Sequence, residues 1–165
     1  MAWTLAFAWD DDESIQVMRH ELANPGPGRL WCVADAIRSG MALDELYQVS
    51  KIDPWFLAQI EDLIWDETRL GEMALSDLDR DALWRLKRKG FSDKRLSVLL
   101  GVTEKELRER RLKLGIRPVY KRVDTCAGEF ATPTAYLYST YEETCEANPS
   151  TRDKIMVLGG GPNRI

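Results

Sequence analysis

Histidine is almost absent: His20 stands alone in 165 residues. A histidine-rich metal site is therefore excluded, and His20, a lone polar group in an amphipathic stretch, reads as surface. Cysteine is scarce and badly spaced for chemistry. Cys32, Cys126 and Cys145 are odd in number and form no C-x-x-C, which excludes a disulfide scaffold or a zinc knuckle. Three isolated thiols suit a reducing cytosol, so a cytoplasmic location is expected, with Cys126 and Cys145 read as small buried thiols. No run approaches the ~18 apolar residues of a membrane span. The opening Met1-Ala-Trp-Thr-Leu-Ala-Phe-Ala-Trp9 is apolar, but no Lys or Arg precedes it and Asp10, Asp11 and Asp12 follow, so it is a poor secretory signal. Internal repeats and low-complexity tracts are not evident.

What is present is the composition of a soluble globular domain, 44% hydrophobic and 30% charged, about one domain in length. Its charge is unevenly placed. Between Arg85 and Arg122 there are 14 basic residues against Asp93, Glu104, Glu106 and Glu109, so that segment carries +10 and the remainder −14. Such polarity predicts one positive face or stripe, facing nucleic acid, a phosphate or an acidic protein surface. The simpler reading is that these side chains solvate helix exteriors while their stems cover apolar surface.

Apolar periodicity predicts helices first and strands last. An acidic start at residues 10–13 leads into Ile15, Met18 and Leu22, stopped by Asn24-Pro-Gly-Pro-Gly28. Leu30, Val33, Ala34 and Ile37 form the next stripe, closed at Ser39-Gly40, and residues 43–49 form another short helix. The clearest helix has Asp53 as N-cap and Pro54 at its first position, with Phe56, Ile60, Leu63 and Ile64 core-facing and Asp62, Asp66 and Glu67 opposite. Asp79 caps a helix over 80–89 that carries Leu83 and Leu86 inward. Ser92 or Asp93 opens one with Leu96, Leu99 and Leu100, and Thr103 with Glu106 forms a capping box for one ending near Leu114. The period then changes to two. Residues 118–125 and 135–139 read as short strands, 148–153 as a turn, and Lys154-Ile-Met-Val-Leu158 as a buried strand leading into Gly159, Gly160 and Gly161.

Three features have chemical potential. A strand followed by glycines suits phosphate approach, but neither a following helix nor a Lys-Ser or Lys-Thr pair accompanies Gly159–Gly161, so the fragment alone is not expected to bind nucleotide. It reads as the truncated first strand of a further α/β domain. The helices at 93–100 and 103–114, joined through Gly101, fit a helix-turn-helix whose second member carries Lys105, Arg108, Arg110, Arg111 and Lys113. An ordinary helical hairpin is the commoner outcome, and the acidic remainder of the chain disfavours nucleic acid. Acidic pairs such as Glu142/Glu143 and Asp77/Asp79 lie in solvated-looking segments with nothing to separate their pKa values. No catalytic constellation emerges, and no metal site.

Other runs are more specific. Residues 118–132 (PVYKRVDTCAGEFAT), Thr134-Ala-Tyr-Leu-Tyr-Ser-Thr-Tyr-Glu-Glu143 and Cys145-Glu-Ala-Asn-Pro-Ser150 resemble the large subunit of carbamoyl-phosphate synthase. Ala34-Asp-Ala-Ile-Arg38, Ile52-Asp-Pro-Trp-Phe-Leu57 and Leu86-Lys-Arg-Lys-Gly-Phe91 match upstream in order, and Lys154–Ile165 resembles the opening of that family's second synthetase half. The resemblance covers about residue 11 to the last residue, leaving 1–13 as a poorly matching segment. It implies a helical oligomerisation domain over 14–117, a linker over 118–153 and the start of the second ATP-grasp half over 154–165. The implied fold class is mainly α, irregular and multi-helical.

For the parent protein the resemblance implies an ATP-dependent, glutamine-hydrolysing ligase. Bicarbonate, glutamine-derived ammonia and two ATP would yield carbamoyl phosphate, for arginine and pyrimidine biosynthesis, with ATP and Mg or Mn as cofactors. Implied partners are the flanking synthetase halves, a small glutaminase subunit and further copies of the subunit. Neither a membrane nor nucleic acid is implied. No catalytic, cofactor or metal residue carries over to this fragment, which is expected to be inactive alone. The basic residues Arg108, Arg110, Arg111, Lys121 and Arg122 become candidate protein contacts, and Trp31, Trp55, Trp65 and Trp84, which suit a core or an interface, are expected to be mostly core with one or two at contacts.

Overall fold

The computed structural model describes residues 12–130 and 136–159. The expectations for residues 1–11 and for Gly160 and Gly161 lie outside them. The chain divides into two compact units, Met1–Ile116 and Arg117–Ile165. Among the described residues the regular elements of the first are all helices and those of the second are two paired strands, so the chain is mainly α.

Four helices open the first unit: α1 (Asp12–Ala23), α2 (Arg29–Arg38), α3 (Leu43–Ser50) and α4 (Pro54–Leu70). They pack on one another around Met18, Leu22, Val33, Ala36, Leu46 and Leu57, with Cys32, Ile37, Met41, Val49 and Ile60 closing the margins. Asp53 caps α4 as expected, its carboxylate accepting from the Trp55 N–H at 2.8 Å. The buried stripe of α4 is rotated from the predicted one. Leu57 and Ile64 are buried, whereas Phe56 is 57% exposed. Around Ile60 both flanks of the helix are apolar (Phe56 and Leu63, Leu57 and Ile64), so periodicity alone could not choose between them. On α2, likewise, Leu30 is exposed and Ala36 takes the buried place.

A 3₁₀ turn (Leu75–Asp77) leads to α5 (Arg80–Arg88), α6 (Asp93–Leu99) and α7 (Glu104–Lys113). Asp79, Ser92 and Thr103 cap them, and Thr103 with Glu106 makes the expected reciprocal box. Leu83, Leu86, Phe91, Leu96, Leu107 and Ile116 are buried. The helix ends contain a repeat that the sequence reading missed. Gly40, Gly90, Gly101 and Gly115 all have positive φ, and the residue after each (Met41, Phe91, Val102, Ile116) donates its N–H back to residues 36, 86, 97 and 111. This is one Schellman cap used four times, an apolar side chain following the left-handed glycine. In α5–α7 the next two residues then start another helix: Gly90-Phe-Ser-Asp93, then Gly101-Val-Thr-Glu104.

In the second unit β1 (Val119–Arg122) pairs antiparallel with β2 (Leu137–Thr140), Val119 opposite Thr140 and Arg122 opposite Leu137. The other edge of β1 is met by residues 144–146. The Glu146 N–H donates to the Tyr120 carbonyl at 2.7 Å, and the Glu146 carboxylate accepts from the Arg122 N–H at 2.8 Å. The expected strand at 154–158 is not one. Ile155, Met156, Val157 and Leu158 are 84–93% exposed, with no ladder partner. A strand exists only by pairing, and an apolar run with no sheet beside it leaves both its backbone and its side chains in solvent.

Candidate interaction surface and the ion clusters behind it

Four cations of the basic segment, Lys87, Lys89, Arg95 and Arg111, pair with acids at three nodes, the tightest built on Asp93 at the first position of α6. Lys87 donates to Asp93 Oδ1 at 2.8 Å and to the Phe91 carbonyl at 2.7 Å. Arg111 donates to Asp93 Oδ2 through Nε at 3.0 Å and Nη2 at 2.8 Å, and through Nη1 to the Ile116 carbonyl at 2.9 Å. Each cation thus secures the glycine cap of its own helix and the start of α6, where a carboxylate also meets the positive end of the helix dipole. All three side chains are at most 10% exposed. Burial pushes the Asp93 carboxyl up, but hydrogen bonds from Arg111 and Lys87 outweigh it and hold it below the usual carboxylate range.

The other two nodes fasten α4. Glu67 receives Arg38 of α2 at 2.7 Å and Arg95 of α6 at 2.7 Å. Lys89, past the end of α5, lies 2.6 Å from both Asp62 and Asp66. Burial lowers the Lys89 pKa, and the hydrogen bonds to Asp62 and Asp66 more than restore it, leaving it above its ordinary value. The acidic residues of α4, expected on a solvated face, therefore hold the basic segment.

The candidate contact residues consequently separate. Arg111 is buried in the Asp93 node, and Arg110 donates to the Leu78 carbonyl at 3.0 Å, so both are used inside the first unit. Arg108 is at the surface but pairs with Glu104 at 2.7 Å, and Lys105 faces Glu109 at 3.9 Å. Helix α7 therefore carries no unbroken cationic face, and the helix-turn-helix reading is not taken further. In the second unit Lys121 bonds to Glu146 and to Thr144, each at 2.9 Å, while the Arg122 side chain is exposed. These contacts raise the Lys121 pKa, chiefly through the Glu146 hydrogen bond. Gly159 is exposed and lies in no helix or strand.

The thiols differ from the expectation that Cys126 and Cys145 are buried, since Cys126 is half-buried. Cys145 is exposed, and N–H groups of Ala147 and Tyr120 at its sulfur lower its pKa, whereas burial raises that of the half-buried Cys32. His20 is exposed beside Asn24, as expected. Among the described residues no group of three or more His, Cys, Asp or Glu is placed to hold a metal ion, and no helix is long and apolar enough to cross a membrane.

The surface feature missed in the sequence is aromatic. Trp31 is 63%, Trp55 62% and Trp65 65% exposed, and only Trp84 is half-buried. The expectation of mostly core tryptophans is thereby corrected. Leu30 and Phe56 are exposed next to Trp31 and Trp55, and the Trp55 and Phe56 rings meet edge to face with centroids 5.0 Å apart. Solvent-facing side chains of this size mark contact surfaces.

Residues 3–115 match the family model described as carbamoyl-phosphate synthetase large chain, oligomerisation domain. The carbamoyl phosphate synthase large chain of Pseudomonas syringae pv. tomato is 65% identical over 153 residues, covering 93% of this chain and 14% of that protein. Its namesake in Neisseria meningitidis serogroup A is 66% identical over 148 residues, 90% of this chain and 14% of that one. The chain thus spans 14% of the length of the curated relatives it matches.

Proposed function

This chain belongs to the family of carbamoyl-phosphate synthetase large-chain oligomerisation domains, and we propose that it serves a large chain as a non-catalytic helical spacer. The parent would be an ATP-dependent, glutamine-hydrolysing ligase making carbamoyl phosphate, with ATP and Mg or Mn bound elsewhere in it. A small glutaminase subunit, the flanking synthetase halves and other copies would be its partners, in the cytoplasm. On this reading residues 14–117 are the oligomerisation domain, 118–153 the linker, and 154–165 the first strand and glycine loop of the following half.

The observation that carries the reading is the run Ile155–Leu158, four consecutive apolar residues at least 84% exposed. Their lost burial would cost several kcal/mol at ~25 cal/mol per Å² if they stayed in water. They are suited to a sheet supplied by more polypeptide. The ionisable clusters of the first unit agree, since their members are committed to helix caps and to one another. The test is direct: the purified chain is assayed for carbamoyl phosphate formation and for ATP hydrolysis, with none expected above background. Turnover that follows the chain through purification and disappears with its removal contradicts the proposal.

A further inference from the structure

The exposed aromatics near the starts of α2 and α4 lie at one end of the four-helix group, and a part-buried link from the Arg29 side chain to two backbone carbonyls puts them there. Arg29, the first residue of α2, donates Nε to the Leu22 carbonyl at the end of α1, at 2.8 Å, and Nη2 to the Ser50 carbonyl at the end of α3. Helix α4 begins at Pro54, a few residues beyond Ser50. The first turns of α2 and α4 therefore share a pole with the last turns of α1 and α3. Leu30 and Trp31 stand on one of those first turns, Trp55 and Phe56 on the other, all 57–63% exposed. Trp65 is ten residues further along α4, about 15 Å away, and is separate from this pole.

We propose that this pole, formed by Leu30, Trp31, Trp55 and Phe56, docks onto the remainder of the same large chain and not onto a second copy of this domain. The proposal rests on the reading of the chain as a segment of a large chain, and two observations choose the occupant. The first is area. Side chains of ~150–250 Å² at about 60% exposure present roughly 500 Å² in total, a typical size for a functional patch. A stable association of separate molecules needs about 800 Å² from each partner, so these four residues alone are too few for a dimer. The second is length: the relatives extend far beyond the 14% matched here. A covalently attached neighbour meets the pole at an effective concentration of order mM, at which a contact of this size is occupied. The neighbour's face should be apolar, since the pole offers it rings and one leucine, while the Arg29 donors are already engaged.

Oxidative labelling of the tryptophans, read by mass spectrometry, tests this without a mutation. Trp31 and Trp55 should label ~10-fold more slowly in the full large chain than in the isolated chain, as expected for side chains removed from solvent. Equal rates in the two overturn the proposal. So does labelling of the isolated chain that slows between about 1 and about 200 µM, which identifies a second copy as the occupant. A companion variant, Trp31→Arg with Trp55→Arg, should leave the helical circular dichroism of the isolated chain unchanged and make proteolytic release of this segment from the large chain ~10-fold faster. Release at the wild-type rate counts against it. A failure here leaves the scaffold reading intact, since that reading fails separately, if the flanking reading frame encodes no synthetase halves or if the isolated chain turns over substrate.

Discussion

The two units of this chain solve the problem of stability in opposite ways. In the helical unit four cap glycines, Gly40, Gly90, Gly101 and Gly115, are each followed by an apolar residue whose N–H bonds back to the helix, and charges far apart in sequence are brought together at Asp93, Glu67 and Lys89. The second unit has four-residue strands, a polar clip around Glu146 and a line of apolar side chains in solvent. A two-stranded ribbon is marginal by itself in water. The contrast separates a body that carries its own support from a segment shaped for neighbours.

The comparison breaks most readily at Asp93. Asp93→Ala strands two buried cations, and the helical unit should lose about 3 kcal/mol in urea unfolding, at the low end for a buried pair because the site keeps some solvent contact. The accompanying pH effect has a definite sign. The folded carboxyl titrates below its unfolded value, so its stabilisation is complete above about pH 4 and is lost as pH falls through the folded pKa. Asp93→Asn should therefore flatten the acid limb of the stability curve; an unchanged acid limb would mean that other carboxylates set it. Next in size is Gly90→Ala. With φ at +97 the new Cβ meets no neighbour, so the cost is conformational, about 1 kcal/mol in unfolding free energy. Thr103→Ala removes half of the capping box and should cost about the same or slightly less.

The smallest global effect belongs to the second unit and sharpens the contrast. Glu146→Ala removes one partner of Lys121 and the side-chain acceptor of the Arg122 N–H together. Hydrogen exchange at residues 119–122 should speed up while the melting of the helical unit stays where it was. A shifted helical melting curve would show that the units are not independent in stability.

The sequence was informative wherever the physics is local. Asp53, Asp79, Ser92, Thr103 and the glycines after α2, α5, α6 and α7 announced the element boundaries because capping is decided within a few residues. It was uninformative where partners are remote. Nothing near Glu67 signals that Arg38 and Arg95 will reach it, and a run of +10 looks the same whether it faces solvent or the acids of α4. The tryptophans failed for a related reason, since an apolar ring suits a core and a contact surface equally. Two of the four caps were legible in the recurring Gly–apolar–Ser/Thr–acid order at Gly90 and Gly101, which went unread, being far shorter than the repeats usually sought. Residues 154–158 have the composition of a buried strand, which describes what they fit and not what this chain gives them.

Hydrogen exchange along the whole isolated chain tests the central claim most directly. The account predicts amides of α4–α7 protected to the level of global unfolding and amides of 154–158 exchanging at the rate of an open peptide. Protection at 154–158 comparable to that of the helices would contradict it, because the run would then have found its sheet without the rest of a large chain.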